Sequence, residues 1–162
     1  MLALAALLAL ATTACTPGVH GNDEHFWHCH VTSAAPESVW ARWIDVDDWP
    51  AWDRELREAT MKDAIGAGAR GVLRPRRGPR AKFEITMWQP QSRYAFTTRL
   101  PFATLTVTRY FVPHPDGTAF VHEVRFEGAA RKGFAKRYGP QFRAALPGVM
   151  AALAALAEGE SP

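Results

Sequence analysis

The sequence lacks the features that mark several protein classes. It has only 2 cysteines in 162 residues, Cys15 and Cys29, and no CxxC pair, which argues against a disulfide-stapled scaffold and against thioredoxin-type or CxxC zinc chemistry. Its longest apolar run, Leu2–Ala11, is shorter than the roughly 20 residues that a membrane-spanning helix needs. Neither sign of charge is in large excess, since a formal net charge of +3 is only mildly basic. No nucleic-acid partner is expected.

Short motifs that carry catalytic chemistry are also missing. The chain has no glycine-rich nucleotide loop, no nucleophile elbow, no metal-binding motif and no carboxylate pair. His25, His28 and His30 lie near Cys29 and could suggest a metal site. In a strand, however, Cys29 faces the side opposite to His28 and His30. No second cluster supplies the remaining ligands. We therefore expect no metal and no cofactor, and we expect Cys29 to be an unreactive buried thiol.

The first fifteen residues resemble an export signal. They carry no charged side chain, and small residues precede Cys15, as in a bacterial lipobox in which that cysteine is lipidated after cleavage. The lipobox leucine is replaced by Thr12, and no basic residue follows Met1. Two alternatives stay open: an envelope protein, lipid-anchored through Cys15 or secreted, or a cytoplasmic protein whose true start lies nearer to residues 19–24. Residues 16–24 are expected to be a linker under either alternative.

The remainder, residues 25–158, is predicted to be one domain without repeats. His25–Thr32 is rich in aromatic and β-branched residues and predicts a first strand. A proline and a glutamate then start a short helix over Pro36–Ile44, and Asp45–Asp53 predicts a second short helix or a turn. Six further strands, joined by turns short enough for hairpins, are predicted from alternating segments: Glu55–Lys62, Ala69–Arg74, Arg80–Gln89, Arg93–Leu100, Thr104–Val112 and Thr118–Phe126.

A long helix is predicted at the end of the chain, over residues 134–157. Its apolar residues recur at steps of three and four and form one face, and Pro147 lies inside it, where it removes a helical hydrogen bond. The predicted fold class is therefore α+β: a seven-stranded curved antiparallel sheet around a long C-terminal helix, with two short helices after the first strand.

This order of elements, with particular short patterns, resembles a known superfamily. The patterns include Val39-Trp40, the WPAW run over Trp49–Trp52, the glycines of Gly66–Gly71 and Phe126-Glu-Gly128. They resemble the START/Bet v 1-like (SRPBCC) superfamily, and most closely its polyketide cyclase/dehydrase and lipid-transport group. The resemblance implies a helix-grip fold with an apolar cavity between sheet and helix. Members range from carriers to cyclases and co-chaperones, so the fold alone does not fix the function.

Strand alternation predicts which side chains face that cavity, since residues two apart share a face. We expect a volume of several hundred cubic ångströms or more. In Thr104–Val112 the row without Arg109 is placed inside. The predicted ligand-binding residues are Phe83, Ile85, Met87, Tyr94, Phe96, Thr108, Tyr110, Phe120, His122, Val124, Phe126, Phe142, Leu146 and Met150.

Three functions remain open. The favoured one is non-covalent binding or transport of a hydrophobic small molecule, such as a lipid, isoprenoid or polyketide-like ring. An alternative is a cyclase, dehydratase or aromatase that uses His122 and Tyr110 as an acid–base pair. A second alternative is a protein-binding module of the co-chaperone kind. The basic hairpin Arg70–Lys82 offers a contact for an anionic membrane surface.

Overall fold

The computed structural model describes residues 15–159. Its elements follow the predicted order, with short helices between the second and third strands and a long helix at the end. In chain order the elements are β1 Val19–Gly21, β2 His25–Thr32, α1 Pro36–Ile44, a 3-10 turn Val46–Asp48, α2 Trp49–Trp52, β3 Leu56–Met61, β4 Arg70–Pro75, β5 Ala81–Gln89, β6 Arg93–Leu100, β7 Ala103–Val112, β8 Thr118–Glu127 and α3 Arg131–Ala157.

All strands form one antiparallel sheet in the order β1-β2-β8-β7-β6-β5-β4-β3. Helix α3 packs on one face of this sheet, against β1, β2 and β8, and also touches α1 and α2. The predicted helix-grip architecture is thus confirmed. Among residues 15–159, no helix combines the length and the apolar character that a membrane crossing requires.

The sheet has 8 strands instead of the predicted seven. The additional strand, β1, lies in residues 16–24, which were expected to be a linker. Its three residues pair with Phe26–His28 of β2, so backbone pairing orders a segment whose composition gives little strand signal. Arg143 of α3 also donates to Asp23 at 2.9 Å, which ties the β1–β2 turn to the helix.

Aromatic rings form the core between sheet and helices. Trp43, Trp49 and Trp52 are completely buried, as are Tyr94 and Phe120. The ring of Trp43 stacks on Phe111 with centroids 4.7 Å apart. Because α1 and α2 place these large rings over the sheet, the rings fill much of the space between the helices and the sheet.

Candidate functional site

A cavity of about 210 Å³ lies between α3 and the inner face of strands β4 to β8. Its walls come from those strands, from residues 49–56 between α2 and β3, from the β4–β5 loop and from the middle of α3. Most of the lining is apolar, and the residues include Leu73, Phe96, Leu100, Leu105, Val107, Val124, Phe126, Tyr138, Phe142, Leu146 and Val149. The volume is smaller than predicted, because the buried tryptophans of α1 and α2 fill part of the space between the helices and the sheet.

Arg109 is the most unusual side chain in the cavity wall, since it is only 3% exposed. Its guanidinium carbon lies 4.3 Å from the ring centroid of Trp49 and 4.8 Å from that of Trp52. Its Nη1 donates to the hydroxyl of Tyr94 at 2.5 Å, and that hydroxyl donates to the carbonyl of Trp43 at 2.9 Å. Within the described residues Arg109 has no carboxylate within salt-bridge distance, and its Nε is buried without an acceptor. Aromatic faces stabilise the cation, but its capacity to donate hydrogen bonds is not exhausted.

His122 lies beside Arg109 on the inner face, because the two residues are cross-strand partners. Its Nε2 accepts a hydrogen bond from Trp43 Nε1 at 3.0 Å. An indole nitrogen only donates, so the neutral imidazole carries its proton on Nδ1. Burial, followed by the charge of Arg109, holds the pKa of His122 well below its usual value. His122 is therefore neutral, and its basic nitrogen is already occupied.

An acidic group borders the same cavity. Burial raises the pKa of Asp53 to about 6, although the backbone N–H of Glu55 and the charge of Arg109 act in the opposite direction. The Glu55 N–H donates to Asp53 Oδ1 at 3.0 Å, and Gln141 of α3 donates to the Glu55 carboxylate. The cavity thus combines a mostly apolar wall with one buried cation, one neutral imidazole and one carboxyl whose pKa is raised to about 6.

The predicted ligand-binding residues fall into three groups. Six of them line the cavity: Phe96, His122, Val124, Phe126, Phe142 and Leu146. Five are core residues away from it, at most 2% exposed: Phe83, Ile85, Tyr94, Phe120 and Met150. The remaining three, Met87, Thr108 and Tyr110, project from the opposite face of the sheet.

A β-bulge explains the misplacement of Met87. The register of β5 against β6 shifts between Ile85 and Met87, so strict alternation fails there. Beyond the bulge Trp88 is on the inner face, where its ring lies 5.5 Å from that of Trp40. Met87 is 39% exposed on the outer face.

The face of β7 that was predicted to be inside is outside. Tyr110 pairs with Val121, while Arg109 pairs with His122, and the Tyr110 hydroxyl donates to Glu123 at 3.3 Å on the outer face. The prediction placed Arg109 outside because it is charged. In the structure Arg109 is inside, where the faces of aromatic rings stabilise its charge. Tyr110 and His122 therefore cannot act as a pair on one ligand.

Sequence reasoning missed Arg109, Asp53 and Trp43 as site residues. A signal for Arg109 was available, since the row Leu105, Val107 and Phe111 in the same strand is more apolar than the threonine row. No comparable signal marks Asp53, whose raised pKa depends on how α2 packs against the sheet.

The two cysteines are also placed differently than expected. Cys15 and Cys29 form a disulfide with Cα atoms 5.4 Å apart, so Cys29 is not a free thiol. The bond lies on the outer face of the sheet, beside Ala119 and Val121. A sulfur in a disulfide cannot carry the thioether of a lipid anchor, so the lipidation predicted at Cys15 and this disulfide are mutually exclusive.

The family model described as polyketide cyclase / dehydrase and lipid transport matches residues 28–158. The chain belongs to this family. The superfamily resemblance inferred from the VW and WPAW patterns is thereby confirmed, and the match runs from the middle of β2 to the end of α3. No curated protein matches the chain.

Solved structures share the fold of this polyketide cyclase/dehydrase and lipid-transport family member at low identity. The di-domain aromatase/cyclase StfQ of the steffimycin pathway superposes with a TM-score of 0.69 at 13% identity, over 84% of this chain and 51% of StfQ. This chain thus spans about half of that protein. A protein from Arthrobacter aurescens matches with a TM-score of 0.68 at 15% identity, over 89% of this chain and 92% of its own. A Helicobacter pylori protein matches with a TM-score of 0.69 at 11% identity, over 84% and 89%. At these identities the likeness shows the fold alone.

Proposed function

We propose that this protein binds a small apolar molecule that carries one anionic or carbonyl oxygen, in the cavity between α3 and the sheet. The observation that carries the proposal is Arg109, a buried cation in a mostly apolar wall with no carboxylate within salt-bridge distance among the described residues. A buried charge is costly unless it is paired. A ligand carboxylate would supply the missing acceptor while its apolar part covers the leucine and phenylalanine side chains.

The cavity also limits the size of the ligand. At about 210 Å³ it is below the roughly 300–1,000 Å³ of sites for drug-sized molecules. A short acyl chain or a single substituted ring matches this space better than a long lipid. Binding or carriage is favoured over a protein-binding module, because a module without a ligand needs no cavity.

The test compares octanoate with octanol by titration calorimetry. A charge-assisted hydrogen bond contributes about 1.5–3 kcal/mol, so octanoate should bind about 10- to 100-fold more tightly than octanol. Arg109→Met should abolish this preference and leave octanol affinity within a few fold. Arg99→Met is the matched control, since Arg99 is an exposed arginine on the neighbouring strand. Equal affinity of the wild-type protein for both compounds would contradict the proposal.

A second candidate is an acid–base enzyme acting on a ketone or enol in the same cavity. It is favoured by Asp53, whose pKa of about 6 is close to the optimum for a group that exchanges protons at neutral pH. Asp53 would take the acid–base role that the sequence suggested for His122 and Tyr110, because these two residues lie on opposite faces of the sheet. Asp53→Asn should then reduce turnover by about 10²–10⁴ while octanoate still binds. A carrier would show no turnover to lose.

We further propose that the protein works in the cell envelope. The Cys15–Cys29 disulfide supports this location, because such bonds persist in oxidising compartments and are rare in the cytoplasm. If the leader is instead processed to a lipidated Cys15, non-reducing and reducing peptide maps will be identical and Cys29 will react with alkylating reagents. A mass 2 Da below that of the dithiol protein would support the disulfide.

A further inference from the structure

A phenylalanine stands out on the surface at the tip of the β6–β7 hairpin. Phe102 is 86% exposed, and in residues 15–159 the only other exposed large hydrophobic side chain is Met87, at 39%. Phe102 also has a φ of 56°, which is uncommon for a bulky residue. Its carbonyl accepts a hydrogen bond from the Ala130 N–H at 3.0 Å. The fold therefore holds this hairpin tip, and the apolar ring on it, in the solvent.

The hairpin that carries Phe102 borders the cavity. Leu100 and Leu105, on either side of the hairpin tip, both line the cavity. Pro79 of the β4–β5 loop and Tyr138 of α3 line the same cavity. A molecule that enters between these three elements passes beside the Phe102 hairpin.

The protein surface around this hairpin is positively charged. Arg99 precedes the hairpin tip, Lys132 lies in the first turn of α3, and the β4–β5 loop carries Arg77 and Arg80. These side chains are exposed and form no ion pair within the described part of the chain. Arg131 is neutralised by Glu24 at 2.9 Å. Glu127 at the end of β8 is an exposed acidic residue that pairs with Thr104, close to the hairpin tip. Basic side chains thus outnumber acidic ones on the surface around the apolar ring of Phe102.

We propose that this rim, defined by Phe102, Arg99, Lys132, Arg77 and Arg80, docks on an anionic lipid bilayer with Phe102 inserted among the headgroups. Shallow burial of an apolar side chain and attraction of cations to anionic lipid are the two contributions that hold proteins at such surfaces. The inference rests on the proposed function, since a mouth that faces the bilayer lets an apolar ligand enter or leave without crossing water.

The test measures co-sedimentation of the whole protein with vesicles of phosphatidylcholine, with and without 30% phosphatidylglycerol. Binding should require the anionic lipid and weaken as salt is raised. Phe102→Ser should weaken binding to anionic vesicles by about tenfold. Met87→Ser is the matched control, because it removes the other exposed apolar side chain, and it should leave binding unchanged. Each of Arg77→Gln, Arg80→Gln and Lys132→Gln should weaken binding by about fivefold.

Three results would overturn the proposal: equal binding to neutral and anionic vesicles, unchanged binding of Phe102→Ser, or an equal loss in Met87→Ser. Octanoate affinity in vesicle-free solution separates this inference from the proposed function. Phe102→Ser should keep that affinity, which also shows that the variant is folded. If the wild-type protein binds no octanoate and yet loses vesicle binding with Phe102→Ser, the docking surface stands and the proposed function fails.

Discussion

Replacing His122 by phenylalanine tests the hydrogen bond that fixes the imidazole in the core. The ring volume is largely kept, so contacts with Trp43, Trp52 and Phe120, now 5.7–6.1 Å between centroids, persist. The Trp43 N–H, however, loses its acceptor at 3.0 Å. An unpaired buried donor costs about 1–3 kcal/mol, which corresponds to a melting temperature lower by about 2–12 °C for a domain of this size.

Urea unfolding at pH 7.5, followed by tryptophan fluorescence, measures this cost. His122→Gln is the control, because its side-chain oxygen can accept the Trp43 N–H where Nε2 does. We expect His122→Phe to lower the free energy of unfolding by about 1–3 kcal/mol and His122→Gln to recover part of the loss. If His122→Phe is as stable as the wild-type protein, the hydrogen bond does not contribute as argued.

The pH dependence supplies an independent check. The pKa of His122 is lower in the folded than in the unfolded protein, so the unfolded state takes up the proton first as the pH falls. The contribution of neutral His122 to the free energy of unfolding is therefore fully present above about pH 6.5. Below that pH the free energy of unfolding of the wild-type protein declines by up to about 1.4 kcal/mol per pH unit. The difference between wild type and His122→Phe should shrink in this range. A constant difference from pH 7.5 to 5 would refute the assignment.

Three further predictions concern stability. The pKa of Asp53 is raised from its ordinary value of 3.8 to about 6 in the folded protein, so the wild-type protein loses stability as the pH rises through 6. At pH 7, urea unfolding should therefore show Asp53→Asn to be more stable than the wild-type protein by up to about 3 kcal/mol. A side chain at Gly139 would meet the β1–β2 backbone at 2.7 Å while Gly148 faces open space, so Gly139→Ala should lower the melting temperature and Gly148→Ala should raise it slightly. Reduction of the disulfide between Cys15 and Cys29, which closes a loop of sequence separation 14, should lower the unfolding free energy by about 3 kcal/mol.

Each of these predictions has a clear contrary outcome. Equal pH dependence of Asp53→Asn and the wild-type protein would mean that this carboxyl titrates normally. Equal melting temperatures of the two alanine variants would place the helix farther from the β1–β2 turn. A denaturation curve that does not respond to reductant would show that the sulfur atoms are not bonded.

The architecture was predictable because its signals are local. Alternating segments separated by Pro, Gly and Asp turns indicate antiparallel hairpins, and the bounds of β2, β6 and α1 agree with the structure at both ends. The apolar stripe of α3 required a sheet to cover it. Strand β1 was missed because three residues carry too little pattern, and only pairing with β2 orders them.

The site was less predictable because it depends on deviations from local rules. A bulge in β5 exchanges the faces of Met87 and Trp88, and alternation cannot reveal a bulge. The rule that charges stay outside placed β7 the wrong way round, since the environment that stabilises Arg109 comes from Trp49 and Trp52, about sixty residues earlier in the sequence. Burial of Asp53 is likewise a property of the packed α2, and composition does not show it.

The most direct test of the proposed function is a crystal structure of the protein with octanoate bound. We expect the acyl chain between α3 and the sheet, against Phe96, Leu105 and Leu146, with a carboxylate oxygen within hydrogen-bond distance of the Arg109 guanidinium. Octanoate with its carboxylate in solvent at the rim, or a cavity that stays empty at saturating ligand while Arg109 keeps its present contacts, would contradict it.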